Sequence, residues 1–208
     1  MVVVTRRDHL GDLSGRTAIR QTEPGDEDGG SAAPLSPDGY FLTADHVLAR
    51  MEGRNVFVVF NRGAGLVQGK ARVVWRSKSS DLALLHVPQK TPYFYRWTSP
   101  RQVLLEGTPI IHGGISTGMR SAVGKLSTTI PPDGFLSGNR RFKIDIPLEP
   151  GDSGGPIVDG AGKLIGVNSA VEFLVPLETA FFVDSEGNRP NIKMIEDLIK
   201  RDRKRNGR

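Results

Sequence analysis

The apolar positions of this chain fall in short runs, and turn residues separate one run from the next. Segments 40–43 (YFLT) and 82–87 (LALLHV) are typical, since glycine, proline or aspartate precedes each of them within a few positions. This pattern favours strands and is typical of barrels or sandwiches. The predicted strands are 17–22, 40–43, 55–60, 66–75, 82–87, 108–112, 122–130, 141–146, 156–158, 163–170 and 179–183.

A helical pattern occurs near the carboxyl end. Apolar residues recur at helical spacing from Ile192 to Ile199, and Asn191 is a suitable N-cap. The helix runs into a basic segment, 200–205 (KRDRKR). Basic residues suit a helix carboxyl end, so we expect a solvated tail and no nucleic-acid partner, although such a tail can also bind nucleic acid or an anionic membrane surface.

The amino-acid composition excludes several classes of function. The 208 residues suffice for one domain with a sizeable core, and the formal net charge is +5. The absence of cysteine excludes thiol chemistry and disulfides, and four scattered histidines predict no metal site. We expect no cofactor.

The distribution of apolar and charged residues also predicts no targeting signal. No apolar run reaches the about 18 residues of a membrane span. The amino end places its charges after a very short apolar run, the reverse of a signal peptide. Together with the lack of cysteine, these features favour a cytoplasmic location over a periplasmic or secreted one. The acidic, glycine-rich segment 23–30 is predicted to be a solvated loop.

The most informative stretch is 150–156 (PGDSGGP), which places a serine among glycines. Glycine permits positive φ and close approach of the main chain, so such a loop can present a hydroxyl beside exposed amides. We therefore predict that Ser153 is a nucleophile and that the Gly151 and Ser153 amides form an oxyanion hole.

A serine nucleophile needs a neighbouring base. His46 lies where strand 40–43 gives way to a short helical turn, and it is the best candidate for this base. The other three histidines, His9, His86 and His112, are interpreted as structural.

A carboxylate should hold the imidazole in the required tautomer, and Asp81 lies just ahead of strand 82–87. The order His46, Asp81, Ser153 is one of the known orders of this triad. Three other aspartates remain rivals of Asp81: Asp38, Asp45 and Asp145.

These motifs together resemble the trypsin/chymotrypsin-like serine peptidases, and among them the bacterial HtrA-type catalytic domains. The similarity rests on 36–47 (SPDGYFLTADHV), 80–85 (SDLALL), 150–156 (PGDSGGP) and 162–170 (GKLIGVNSA), which occur in the family's order. It extends roughly over residues 30 to 185.

The resemblance implies an all-β fold of two antiparallel six-stranded β-barrels with a C-terminal α-helix packed on the second barrel. We expect a single peptidase domain over 1–208. Its N-terminal barrel would span about 17–95 and its C-terminal barrel about 100–185, with helix and basic tail over 191–208. Segment 91–100 would link the barrels, and the triad would lie at their junction.

The resemblance also indicates where the substrate side chain binds. The base of the pocket lies six residues before the nucleophile, at Pro147, where trypsin-type enzymes have an aspartate. Val167 stands where glutamate-specific relatives have histidine. The predicted walls are Asn168, Ser169, Ala170 and the strand around 180–183, in which Phe181 or Phe182 narrows the pocket. We expect cleavage after small or medium apolar residues.

Asp152 precedes the nucleophile, as in the digestive relatives, where it pairs with an amino terminus made by cleavage. The matching activation site is missing from this sequence. We therefore expect Asp152 to find another internal partner, without a zymogen cut.

Two other functions fit the same residues. One is a catalytically silent binding module with the peptidase fold, and the other is a dedicated processing protease with a single substrate. The oligomeric state is not predicted.

Overall fold

The computed structural model describes residues 1–11, 27–63, 65–116, 122–133, 138–170 and 185–206. Within these ranges the chain forms mostly strands, with one 3-10 helix, Asp45–Leu48, and one α-helix, α1, Ile192–Arg205. The strands of the first half are β1 Val2–Thr5, β2 Glu27–Gly30, β3 Ala33–Pro34, β4 Tyr40–Thr43, β5 Asn55–Asn61, β6 Leu66–Lys70, β7 Arg72–Ser77 and β8 Leu82–His86. Those of the second half are β9 Pro109–His112, β10 Ala122–Lys125, β11 Arg140–Lys143, β12 Pro156–Asp159, β13 Leu164–Ala170 and β14 Ser185–Arg189.

The first half consists of two antiparallel four-stranded sheets. Their strand orders are β2-β1-β5-β6 and β3-β4-β8-β7. All five residues of β8 are buried, which explains its continuous apolar sequence. The two sheets face each other across a core to which β1 contributes Val2 and Val4, β4 contributes Phe41, and β8 contributes Leu85.

The second half is one six-stranded antiparallel sheet of order β10-β9-β12-β13-β14-β11. The sheet curls until its two edges meet at an isolated bridge between Leu126 and Ile144. A hydrogen bond from Ser127 N to Lys143 O, 2.8 Å, joins the same two edges. Leu126 and Ile144 belong to the core enclosed by this sheet.

The expected fold class is therefore confirmed at its coarser level, a mostly β chain with a C-terminal helix. Two six-stranded barrels are not confirmed, because the first half has two four-stranded sheets. The apolar residues of β1 account for part of the difference: they pair with β5, whereas the sequence pattern had assigned no strand to them.

The prediction of a solvated loop over 23–30 is wrong for Glu27–Gly30, which forms β2 and pairs with β1. Glycine suits this position because a Cβ at Gly30 would lie 2.6 Å from the side chain of Val47. The predicted strands 17–22 and 179–183 lie outside the described residues.

The predicted linker makes main-chain hydrogen bonds to both halves. Tyr95 N donates to Pro34 O in the first half (2.9 Å). Leu164 N in the second half donates to Arg96 O (2.7 Å), and Thr98 N donates back to Leu164 O (3.0 Å). The linker thereby holds the two halves in a defined relation.

Helix α1 begins as predicted, since the Asn191 side chain accepts a hydrogen bond from Met194 N (3.0 Å). Its packing differs from the expectation of contact with the second half alone. The buried Ile195 and Ile199 join a cluster that contains Tyr40 and Leu84 from the first half and Leu164 from the second. The helix therefore covers the seam between the halves.

In the part of the chain that the structure describes, no helix combines the length and apolar character that crossing a bilayer requires.

Candidate active site

His46 projects outward from a turn whose other residues are anchored. In the 3-10 helix that follows β4, Asp45, Val47 and Leu48 are buried, while the His46 side chain is 44% exposed. Asp45 is held by Arg76, whose Nε donates to its carboxylate at 2.5 Å. This anchored turn fixes the backbone beneath an accessible imidazole.

Asp81 faces His46 directly. Its carboxylate oxygens lie 2.9 and 3.0 Å from Nδ1 of His46, and it also accepts the His46 backbone N–H at 2.9 Å. Because an ionised carboxylate only accepts hydrogen bonds, Nδ1 carries the proton and Nε2 remains the basic nitrogen. Asp81 has φ of 48°, a left-handed conformation that aspartate tolerates better than most residues.

A third group contacts the same carboxylate. Burial raises the pKa of Asp81, but hydrogen bonds from His46 and from the Ser169 hydroxyl outweigh burial and bring the pKa to about 2. Asp81 is therefore an anion at neutral pH, as the tautomer of His46 requires.

The rival aspartates are engaged elsewhere. Asp38 pairs with Arg203 at 2.8 Å, Asp45 pairs with Arg76, and Asp145 accepts the Lys125 backbone N–H. Of the four candidate aspartates, Asp81 is the one whose carboxylate contacts His46.

The serine loop packs against the segment that leads to His46. Gly151 and Gly154 have φ of 103° and 83°, which explains why glycine occupies both positions. A Cβ at Gly154 would lie 2.3 Å from Thr43 Oγ1 and 2.9 Å from Ala44 N, just before the 3-10 helix. Ser153 itself is only 6% exposed.

Two amides of this loop have no internal acceptor in the described part of the chain. The N–H groups of Asp152, Gly154 and Gly155 donate to Glu149 O, Asn168 O and Asp152 O. No main-chain or side-chain acceptor within the described ranges takes the N–H of Gly151 or Ser153. These are the two amides that the sequence suggested for an oxyanion hole.

Asp152 has the internal partners expected of it. It is fully buried, and its carboxylate accepts the backbone N–H groups of Ser116 (3.1 Å) and Glu149 (3.2 Å). A buried carboxylate needs such hydrogen bonds. These contacts hold the loop against the turn after β9.

Two of the other histidines occupy structural positions. His86 lies 3.1 Å from Asp38 O and packs on the Tyr40 ring. His112 is 1% exposed, with Nδ1 3.2 Å from the Asn168 amide nitrogen. Burial lowers the pKa of His112, and the charge of Asp152 acts in the opposite direction.

The residues predicted to line the substrate pocket have varied surroundings. Pro147 is exposed. The side chains of Asn168 and Ser169 are buried and hydrogen-bonded to internal partners, so their part in substrate binding stays a prediction. Ala170 is the last residue of β13, and the predicted wall at 180–183 lies outside the described residues.

Sequence reasoning missed the contact of Ser169 with Asp81. Its position directly after Asn168, on the strand that follows the serine loop, was the available signal.

A depression of about 240 Å³ lies beside His46 and is lined by Asp28, Gly29, Val47, Ala49 and Arg50 as well. Within the described residues, no three metal-ligating side chains are grouped to hold an ion.

A family model described as a trypsin-like peptidase domain matches residues 30–167. The chain is 27% identical over 174 residues to a probable periplasmic serine endoprotease DegP-like of Pseudomonas fluorescens, covering 76% of this chain and 34% of the relative. It is 32% identical over 150 residues to a protein of the same name from Bartonella henselae, covering 68% of this chain and 28% of the relative. The chain thus spans about a third of the length of these curated relatives.

A solved structure titled HtrA-type protease AlgW with tripeptide superposes with a TM-score of 0.62 at 22% identity, covering 96% of this chain and 58% of the other. This likeness shows the fold.

The expected cytoplasmic location is wrong by these comparisons, because the curated relatives are named periplasmic endoproteases. A lack of cysteine is equally compatible with the periplasm.

Proposed function

The chain belongs to the trypsin-like peptidase domain family, and from this premise we propose that it is a serine endopeptidase with Ser153 as nucleophile, His46 as base and Asp81 as orienting carboxylate. The observation that carries the proposal is the contact of His46 Nδ1 with the Asp81 carboxylate at 2.9 Å. This contact leaves Nε2 as the basic nitrogen, on an exposed ring next to the loop that bears the serine.

In the proposed reaction, Ser153 Oγ attacks the carbonyl carbon of a peptide bond while His46 Nε2 takes the hydroxyl proton. The carbonyl oxygen gains negative charge and accepts hydrogen bonds from the Gly151 and Ser153 amides. His46 then gives the proton to the leaving amine, and an acyl-enzyme remains on Ser153. Water, deprotonated by His46, releases the acyl group and restores the serine.

Reaction with a fluorescent fluorophosphonate tests the assembled nucleophile. We expect the untrimmed wild-type chain to be labelled and the Ser153→Ala and His46→Ala variants to remain unlabelled. His9→Ala is the matched control, because His9 is exposed and outside the site, and it should label like the wild type. A folded wild type that resists labelling would contradict the proposal, and labelling only after N-terminal trimming would contradict activation without a cut.

The second candidate is a catalytically silent binding module, which would bind peptides without being labelled. The third is a processing protease with a single substrate. Unfolded casein separates the latter from a general endopeptidase, since a dedicated protease would label with the probe yet leave casein intact.

The finer specificity is also a proposal. Pro147 at the base of the pocket argues against pairing with lysine or arginine, and Val167 argues against glutamate specificity. We propose cleavage after small or medium apolar residues. A peptide library should show valine, alanine or leucine before the cut, and dominant cleavage after basic residues would overturn this proposal.

The division into two barrels, about 17–95 and 100–185 within a domain over 1–208, also belongs to the proposal, with the triad at their junction. The names of the curated relatives support a periplasmic location for this chain as well. Fractionation of the source cells tests the location, and recovery in the cytosolic fraction would contradict it.

A further inference from the structure

The two proposed oxyanion donors belong to peptide units whose orientation the structure explains. In a trans peptide the carbonyl oxygen of one residue points opposite to the N–H of the next, and the described peptide bonds are trans. A group that holds Pro150 O therefore orients the Gly151 N–H. In the same way, a group that holds Asp152 O orients the Ser153 N–H.

Ser116 holds the first carbonyl. Its hydroxyl donates to Pro150 O, and its backbone N–H donates to the Asp152 carboxylate at 3.1 Å. A Cβ at Gly151 would lie 2.7 Å from Ser116 Oγ, so the absence of a side chain at Gly151 permits this approach. Ser116 lies after β9, outside the loop that carries the nucleophile.

Asn168 holds the second carbonyl. Its fully buried amide nitrogen lies 3.3 Å from Asp152 O, 3.3 Å from Gly113 O and 3.2 Å from His112 Nδ1. The Gly155 N–H also donates to Asp152 O, at 2.9 Å. Asn168 thus ties the Asp152–Ser153 peptide to strand β13 and to the end of β9.

The intervening peptide provides a contrast. The Ser31 hydroxyl donates to Gly151 O at 2.8 Å. The N–H of this peptide, on Asp152, is directed inward to Glu149 O. Ser31 therefore makes the same kind of hydrogen bond to the same loop without orienting a proposed donor.

We propose that Ser116 and Asn168 are positioning residues, which hold the carbonyls of Pro150 and Asp152 so that the Gly151 and Ser153 amides point at the developing oxyanion. The proposal rests on the proposed function. Neither side chain contacts the reacting atoms, so both act through the loop backbone.

The expected effect is smaller than the loss of a donor. Removal of an oxyanion donor typically costs about 100- to 1,000-fold in kcat. A misoriented peptide retains its N–H and samples the productive orientation part of the time. We therefore expect Ser116→Ala to lower kcat by roughly 10-fold, below the cost of a lost donor.

Kinetics of Ser116→Ala, Ser116→Thr and Ser31→Ala on one peptide substrate provide the first test. Ser116→Ala should lower kcat and weaken a peptide boronate inhibitor by the same factor, with KM and the acid limb of the pH profile unchanged, since the His46–Asp81 contact is untouched. Threonine retains the hydroxyl and should restore kcat. Ser31→Ala should lower kcat less than Ser116→Ala. An equal loss in Ser31→Ala and Ser116→Ala, or a shifted pH profile, would overturn the proposal.

Carbonyl NMR tests the orientation without catalysis. The chain has two Pro-Gly pairs, Pro24–Gly25 and Pro150–Gly151, so labelling with ¹³C-carbonyl proline and ¹⁵N-glycine yields two correlation peaks. Ser116→Ala should move the Pro150–Gly151 peak and leave the other in place, and Ser116→Thr should return it. An unmoved peak would overturn the proposal even in an active enzyme. A moved peak in a protein that no fluorophosphonate labels would support the orientation and contradict the proposed function.

Asn168 is tested in the same way through Asn168→Leu, which removes the amide donors at similar volume. If this variant unfolds, as judged by its thermal transition, the Ser116 variants still decide the proposal.

Discussion

At the scale of single residues, the candidate site depends on one carboxylate with several partners. Asp81 accepts the His46 backbone and ring N–H groups and the Ser169 hydroxyl, and these contacts outweigh its burial. Each contact favours the anion, and the anion in turn favours a proton on Nδ1 of His46. A neutral acceptor at this position would lose the charge and leave the tautomer less well defined.

We expect Asp81→Asn to lower kcat by about 10,000-fold, because an amide can stabilise the wrong imidazole tautomer and cannot stabilise imidazolium. Steady-state hydrolysis of a peptide substrate measures the change. Asp145→Asn is the matched control, because Asp145 was a candidate for the same role and its carboxylate accepts the Lys125 backbone N–H on β10. A comparable loss in both variants would show that Asp81 has no special role.

At the scale of elements, the C-terminal helix is fastened by Asp202. Its carboxylate accepts the Tyr40 hydroxyl at 2.8 Å and both terminal nitrogens of Arg72, at 2.8 and 2.6 Å. The hydrogen bond from Arg72 lowers the pKa of Asp202, and burial raises the pKa of Tyr40 to about 12 with the help of Asp202. The basic end of the helix is also partly paired, because Arg203 contacts Asp38.

Replacing Asp202 should loosen this attachment. We expect Asp202→Ala to lower the free energy of unfolding by about 1–3 kcal/mol, since it leaves the buried Tyr40 hydroxyl without its acceptor. Urea denaturation measures the change. Asp197→Ala serves as control on the same helix, because its pair with Lys193 is exposed and such pairs contribute about 0–1 kcal/mol. Equal effects in the two variants would contradict a fastening role for Asp202.

At the scale of the whole molecule, three aspartates connect parts of the chain that are distant in sequence. Asp38 pairs with Arg203 on α1, and Asp202 on α1 pairs with Arg72 on β7. Asp81 contacts the turn after β4 and also β13. The hydrogen bond from Arg203 lowers the pKa of Asp38 to about 2, and the pKa of Asp81 is also about 2. Long-range assembly therefore depends on ionised carboxylates.

We predict that stability falls as the solution is acidified from about pH 4 to pH 2. An aspartate whose pKa is lower in the folded state than its unfolded value of about 3.9 stabilises the fold above that value. The contribution is lost as pH falls through the folded pKa. Urea denaturation at pH 7, 4, 3 and 2 measures the trend, and Asp81→Asn should show a weaker one. A midpoint that stayed constant or rose on acidification would contradict the prediction.

The sequence by itself determined the class of the fold and the identity of the candidate catalytic residues. Strand content and the Asn191 cap follow from side-chain patterns within a few positions, and local backbone preferences act at that range. The glycines around Ser153 likewise reveal a tight loop from sequence alone, because positive φ is a local demand.

Only the tertiary structure decided which distant groups complete the site. Ser169 and Asp81 are 88 positions apart, and the Ser116 N–H reaches the Asp152 carboxylate over 36. The apolar β1 pairs with β5, and the first half has two four-stranded sheets. Hydrogen bonds and sheet pairings of this kind depend on the packing of whole elements. The neighbouring sequence of a hydroxyl or an amide is the same whether or not an acceptor lies opposite it in the fold.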